Sequence, residues 1–286
     1  MPLRGNGPMA SCRYVGWLVA LMALGSSGCS LFHPRLDPHR LDQGYTIVLP
    51  GIEGESLFNG QLARGLVDGG VPTAIEVDDW TSGFAPAWLF HLRGAARHER
   101  ESERIAAKIV AYRRQWPGRP VYLVGHSGGG AMAVRVLERL PPDVTVTRAL
   151  LLAPAITPEY DLTRALAATD GGIWNFLSPG DAIFCGLGTT VFGTVDGSFR
   201  PSAGMVGFRR SPRDALIGEI EPGAWLSADG STVPLEALQW GPELHQVPYR
   251  PEMFLSGHPG GHFGWTSRPF ARRYLAPLLR LESAPR

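Results

Sequence analysis

The 286-residue sequence predicts an α/β fold, a mostly parallel sheet covered by helices on both faces. Three observations carry that prediction. Segments of strand character alternate with segments of helical periodicity along most of the chain. The strand segment at residues 121–124 is a short, unbroken apolar run, which is the pattern of a strand buried on both faces. That run passes through a very tight glycine-rich turn, residues 125–130, directly into a helix-forming stretch that ends before Pro141 and Pro142.

Taken in order, residues 45–49 read as the first strand, broken by Pro50 and Gly51. Phe58, Leu62 and Leu66 mark one apolar stripe of a helix over 56–68, stopped by Gly69 and Gly70. Residues 74–77 form the next strand. The aromatic-rich segment 84–92 reads as a short core helix, with a substrate-facing cap as the other reading. Ile105, Ile109 and Tyr112 mark a helix over 99–115. After the turn come strands at 149–152 and 173–177, separated by a helix over 158–168. Residues 182–245 are rich in glycine and proline and lack clear periodicity; a structureless loop that long is improbable, so an excursion with structure of its own is expected. Residues 252–255 read as the last strand.

The tight turn carries Gly125-His126-Ser127-Gly128-Gly129, a G-x-S-x-G arrangement. A serine on so sharp a bend adopts strained backbone angles, and side chains on its neighbours would collide with the strand. Two other uses of glycine are weighed and set aside. Gly128, Gly130 and Ala133 fit a loose dinucleotide fingerprint, but the next strand ends in Ala153 and Pro154 rather than in an acid for the ribose. No Lys-Ser or Lys-Thr follows the glycines, which excludes a phosphate loop.

From about residue 45 to 279 the chain resembles the α/β-hydrolase superfamily, in its esterase and lipase branch. That resemblance implies a nucleophile, an acid and a histidine in this order along the chain. Ser127 takes the first place. Asp181, in the loop after strand 173–177, is the implied acid; Asp196, Asp214 and Asp229 read as turn residues, and Asp161 and Asp170 as helix flanks. His262, behind two glycines in the loop after the last strand, is the implied base in preference to His258. His126 is expected to pack, and His91, His98 and His245 show no metal-pair spacing. The oxyanion hole is implied to use the N–H groups of Gly128 and Ile52, with Gly51 permitting the bend, although the Gly-Gly-Gly run of related esterases is absent there.

The beginning of the chain is different in kind. Arg4 and Arg13 precede an apolar run at 14–24, then Gly25-Ser26-Ser27-Gly28 and Cys29. This has the outline of a signal peptide over 1–28, and small residues before a cysteine resemble a bacterial lipobox, with Cys29 lipidated and 29–44 a tether to the domain at 45–286. Ser26 departs from the usual leucine; a plain secretory signal and an uncleaved anchor are the other readings. Loss of Cys12 with the signal and acylation of Cys29 would leave Cys185 without a partner, so no disulfide framework is expected.

A net charge of +1 with scattered arginines gives no footprint for nucleic acid. The expectation is an exported, membrane-anchored serine hydrolase of the cell envelope that cleaves ester substrates and needs no metal or organic cofactor. A peptidase or acyltransferase on the same fold, and a non-catalytic envelope-binding lipoprotein, are the alternatives.

Overall fold

The computed structural model describes residues 36–209 and 241–280, together with the backbone of three short strands between them. The expected signal segment, Cys29 and the expected tether as far as residue 35 lie outside the described residues. β1 (Tyr45–Leu49), β2 (Ala74–Val77), β3 (Val121–His126), β4 (Arg148–Leu152) and β5 (Ile173–Leu177) join a late strand, Leu244–Pro248, in one six-stranded sheet. Its order is β2-β1-β3-β4-β5 and then the late strand, and every pair is parallel. The helices are α1 (Leu57–Asp68), α2 (Trp88–Arg93), α3 (Ala95–Gln115) and α4 (Gly128–Arg139), followed by shorter pieces.

Side chains alternate across the sheet and fill two cores. Ile47, Leu49, Leu123, Ala149 and Leu151 pack with Ile105, Ile109 and Met132 on one face. Val48, Val124, Leu150, Trp174 and Phe176 pack with Leu62, Leu66, Phe270 and Leu275 on the other. Apolar side chains cover both faces, which is why residues 121–124 of β3 read as a continuous apolar run rather than as an alternating one. The chain leaves β1 for β2 on one side and crosses back to β3 on the other, so the loops after β1 and β3 border the crevice where the strand order reverses, the usual ligand site of such sheets.

Four expectations are corrected. The expected tether reaches only to about residue 36: Pro38–Leu41 is a helix capped by Asp37, and Arg40 donates to the Val71 and Thr73 carbonyls while Tyr112 Oη donates to Leu41 O. Residues 84–92 are helical in part but are not core, since Phe84 is 64% and Phe90 77% exposed and only His91 and Leu92 of α2 turn inward. The helix expected over 158–168 spans only Thr163–Ala167. Residues 252–255 are not a strand: Pro251–Ser256 is a 3-10 helix with Pro251 in its first turn, and Leu255 is 84% exposed. The last strand of the sheet is Leu244–Pro248, and a short apolar run could not reveal which of the two it was. The excursion does carry structure, including Ala182–Gly188, Thr189–Phe192, Ala203–Val206 and the three-stranded antiparallel sheet of Gly218–Glu221, Ala224–Leu226 and Thr232–Pro234.

Candidate active site

The turn after β3 is as sharp as its sequence requires. Ser127 has φ 54° and ψ −120°, a conformation that costs about 1–3 kcal/mol for a residue with a side chain. Ser127 N–H donates to Leu152 O, and Ser127 O accepts from the N–H groups of Gly130 and Ala155, which ties the bend to the adjacent strand end. The glycines are there for close approach: a Cβ on Gly125 would lie 2.2 Å from Gly129 O, and one on Gly129 would lie 2.2 Å from Leu49 O. Gly128 opens α4, so its N–H belongs to the first turn and has no partner within the helix.

The loops after β5 and the last strand bring Asp181 and His262 together. Asp181 Oδ2 accepts from His262 Nδ1 at 2.5 Å, and Asp181 Oδ1 accepts from Cys185 N–H at 3.2 Å. Both residues are buried. Burial pushes the Asp181 carboxyl up, but the His262 charge and the hydrogen bonds from His262 and Cys185 outweigh it and hold the group below the usual carboxylate range. With Nδ1 committed to Asp181, Nε2 is the ring nitrogen left to serve a serine. The His262 ring stacks on Phe184, with centroids 4.8 Å apart, and lies 4.7 Å from the ring of His126, the residue before Ser127.

His126 packs, as expected from sequence: it is fully buried, its Nε2 meets His262 O, and burial with the His262 charge brings its pKa down to about 3. His258 is not brought to Asp181. Its Nδ1 accepts from Gly260 N–H, its ring is enclosed by Trp265, Phe270 and Tyr249, and burial lowers its pKa to about 4. Asp161, expected to flank a helix, accepts from Thr163 N–H, whereas Asp196, expected to be a turn residue, accepts from the distant Thr157 N–H. Asp214 and Asp229 lie outside the described residues.

Burying a neutral His258 makes stability acid-sensitive. The unfolded imidazole takes a proton near pH 6.5 but the folded one only near 4. Between these values the unfolded chain alone is protonated, so stability is full above about pH 6.5, falls as pH drops through the window and is lost below about 4. The contribution is on the order of 3 kcal/mol. We predict that His258→Asn, which keeps an acceptor for Gly260 N–H and cannot titrate, flattens the fall in thermal midpoint between pH 6.5 and 4. An unchanged slope would assign the acid sensitivity elsewhere.

Ile52 lies in the loop after β1, facing Gly128 across the crevice: its N is 3.5 Å from where a Cβ on Gly128 would stand. At Gly51 a Cβ would lie 2.2 Å from Glu53 Oε2. Asp181, Cys185 and His262 offer three ligand atoms within 4.8 Å of one another, a donor set of the kind zinc takes. The Asp181 and His262 atoms are bonded to each other, and burial beside Asp181 holds the Cys185 thiol in its protonated form, so the trio fits an acid and base pair better than a metal. Sequence reasoning missed Cys185 because its proximity depends on the helix that begins at Asp181.

The strand order, the bend at Ser127 and the order of Ser127, Asp181 and His262 along the chain resemble those of the α/β-hydrolases. Residues 93–178, which include Ser127, match the Hydrolase_4 family, described as serine aminopeptidase, S33. The sequence matches no curated protein. Among solved structures the chain is similar to a Trichoderma reesei cutinase in complex with a phosphonate inhibitor, at 13% identity and a TM-score of 0.37 over 57% of this chain and 75% of that one. It is also similar to a poly(3-hydroxybutyrate) depolymerase from Bordetella parapertussis, at 15% identity and a TM-score of 0.42 over 79% of this chain and 78% of that one.

Proposed function

We propose that the protein hydrolyses carboxylic esters through an acyl-enzyme on Ser127. His262 Nε2 takes the Ser127 proton as Oγ attacks the carbonyl, then returns it to the leaving alcohol; Asp181 holds the imidazole tautomer and stabilises the imidazolium. The N–H groups of Gly128 and Ile52 receive the developing oxyanion, aided by the N-terminal end of α4. Water then attacks the acyl carbonyl by the same route and frees Ser127. The buried His262–Asp181 pair, with the His262 ring 4.7 Å from that of His126, the neighbour of the strained Ser127, is the observation that supports this reading.

An apolar acyl group suits the rim. Ile183, Leu187 and Val191 expose their side chains along the segment that starts at Asp181, and Trp88 of α2 meets Phe192 edge-on at 5.0 Å. The test is labelling by a fluorophosphonate with the adduct mapped by mass spectrometry, followed by turnover of p-nitrophenyl esters and of peptide anilides. An adduct on Ser127 and turnover of esters above anilides are expected. Faster anilide turnover would make the protein a peptidase, and no adduct would leave only a binding role.

We also propose that the protein is exported and anchored through acyl chains on Cys29, on the support of the basic start, the apolar run and the small residues that precede that cysteine. Cys29→Ala should move the protein from the membrane fraction to the soluble fraction or stall its processing. Recovery of wild-type protein as a soluble chain beginning beyond Ser30 would overturn the anchor.

A further inference from the structure

His91 has no place in the reaction described above, yet it is buried and both of its ring nitrogens are bonded. Nδ1 meets Ile52 O at 2.8 Å, and Nε2 meets both Ser82 Oγ at 2.7 Å and Ser82 N at 3.2 Å. The second set of contacts decides the tautomer. A backbone N–H can only donate, so Nε2 is the unprotonated nitrogen and Nδ1 carries the hydrogen given to Ile52 O. The ring is fixed in turn, because His98 Nε2 bonds the His91 carbonyl at 2.6 Å.

The contact lands on the loop that carries one of the two oxyanion donors. Pro50 O is held by Trp80 Nε1 at 2.7 Å, and Gly51 O accepts from Gly54 N–H at 3.1 Å. With Ile52 O on His91, three successive carbonyls of this loop are tied down. In a planar trans peptide the N–H points opposite to the preceding C=O, so Gly51 O sets the direction of Ile52 N–H, and the hold on Ile52 O fixes the following peptide plane and so anchors Ile52 from its other side. This also explains α2: Leu89 and Phe90 face outward, and its buried polar residue is the one that reaches the loop.

We propose that His91 is a positioning residue that aims the Ile52 N–H at the oxyanion through its Nδ1–H bond to Ile52 O. The inference rests on the serine-hydrolase reading above. Removing an oxyanion donor outright lowers kcat by about 10²–10³-fold, and a donor that is loosened rather than removed should lose roughly 10–100-fold. The loss should fall on kcat, because the hole is filled by charge that exists only in the transition state.

Two isosteric amides separate this role from a structural one. In His91→Asn the side-chain Nδ2 can occupy the place of imidazole Nδ1 and keep the bond to Ile52 O, whereas in His91→Gln the amide reaches the place of Nε2 and keeps only the Ser82 contact. His91→Gln is expected to lower kcat on a p-nitrophenyl ester, and the rate of fluorophosphonate inactivation, by roughly 10–100-fold with KM within about 3-fold of wild type. His91→Asn should recover most of that loss. Equal losses in the two variants, or losses confined to KM, would overturn the proposal. Nitrogen NMR of histidine-labelled wild type gives a reading that no folding defect can obscure: His91 should be protonated on Nδ1, and an Nε2–H tautomer refutes the mechanism. Absence of a Ser127 adduct in the wild type would instead count against the hydrolase reading itself.

Discussion

Ser127→Ala is expected to abolish fluorophosphonate labelling and to lower ester turnover by about 10⁴–10⁶-fold, with His262→Ala close behind, because nucleophile and base act as a unit. The residual rate would come from the oxyanion donors and from substrate binding, neither of which needs Oγ. The alanine also relieves no strain worth the name, since the backbone at this position keeps φ 54° whatever small side chain it carries. The variant should therefore fold with a thermal midpoint near that of wild type. Wild-type turnover in Ser127→Ala would falsify the assignment of the nucleophile. An active His262→Ala beside an inactive His258→Ala would move the base to a residue that the packing has enclosed between Trp265 and Phe270.

Asp181→Asn should lower kcat by roughly 10⁴-fold while preserving the fold. The asparagine Oδ1 can still accept the N–H of Cys185, the contact that caps the helical segment Ala182–Gly188. Its amide group would then face His262 Nδ1 with hydrogens of its own. To avoid two donors meeting, the imidazole must carry its proton on Nε2, where it cannot take the Ser127 proton. Loss of activity with an unchanged circular dichroism spectrum and midpoint is the expected result. Activity within tenfold of wild type would show that the Asp181–His262 bond is not the one that sets the tautomer.

Much of this arrangement was legible along the chain. The boundaries of β1, β2 and β5 agree with those read from largely apolar segments set off by Pro50, Gly69-Gly70 and Pro179. The bend at Ser127 was legible for a local reason: three glycines within five residues are needed only where backbone approaches backbone, and Gly125 and Gly129 do meet it at 2.2 Å. Asp181 was singled out by its place after a clear strand end, and His262 by its glycines.

The remainder depended on contacts between residues far apart in sequence. A four-residue apolar run such as 252–255 has the same composition in a strand and in a 3-10 helix, and only the hydrogen bonds of Leu244–Pro248 to β5 showed which segment completes the sheet. Segment 84–92 looked like core because hydrophobicity records what a side chain is and not which way it faces; two of its aromatics point outward while His91 points in. The same limit hid His91 and Cys185. Neither sits in a motif, and each gains its place from one long-range pairing, His91 with Ile52 and Cys185 with His262. The sequence by itself determined the first five strands of the sheet, the strained serine and the chain order of its partners, since those rest on local backbone and burial preferences. The tertiary structure decided which histidine meets the acid and what holds the oxyanion loop, since hydrogen-bond geometry across loops exists only once the sheet has brought them together.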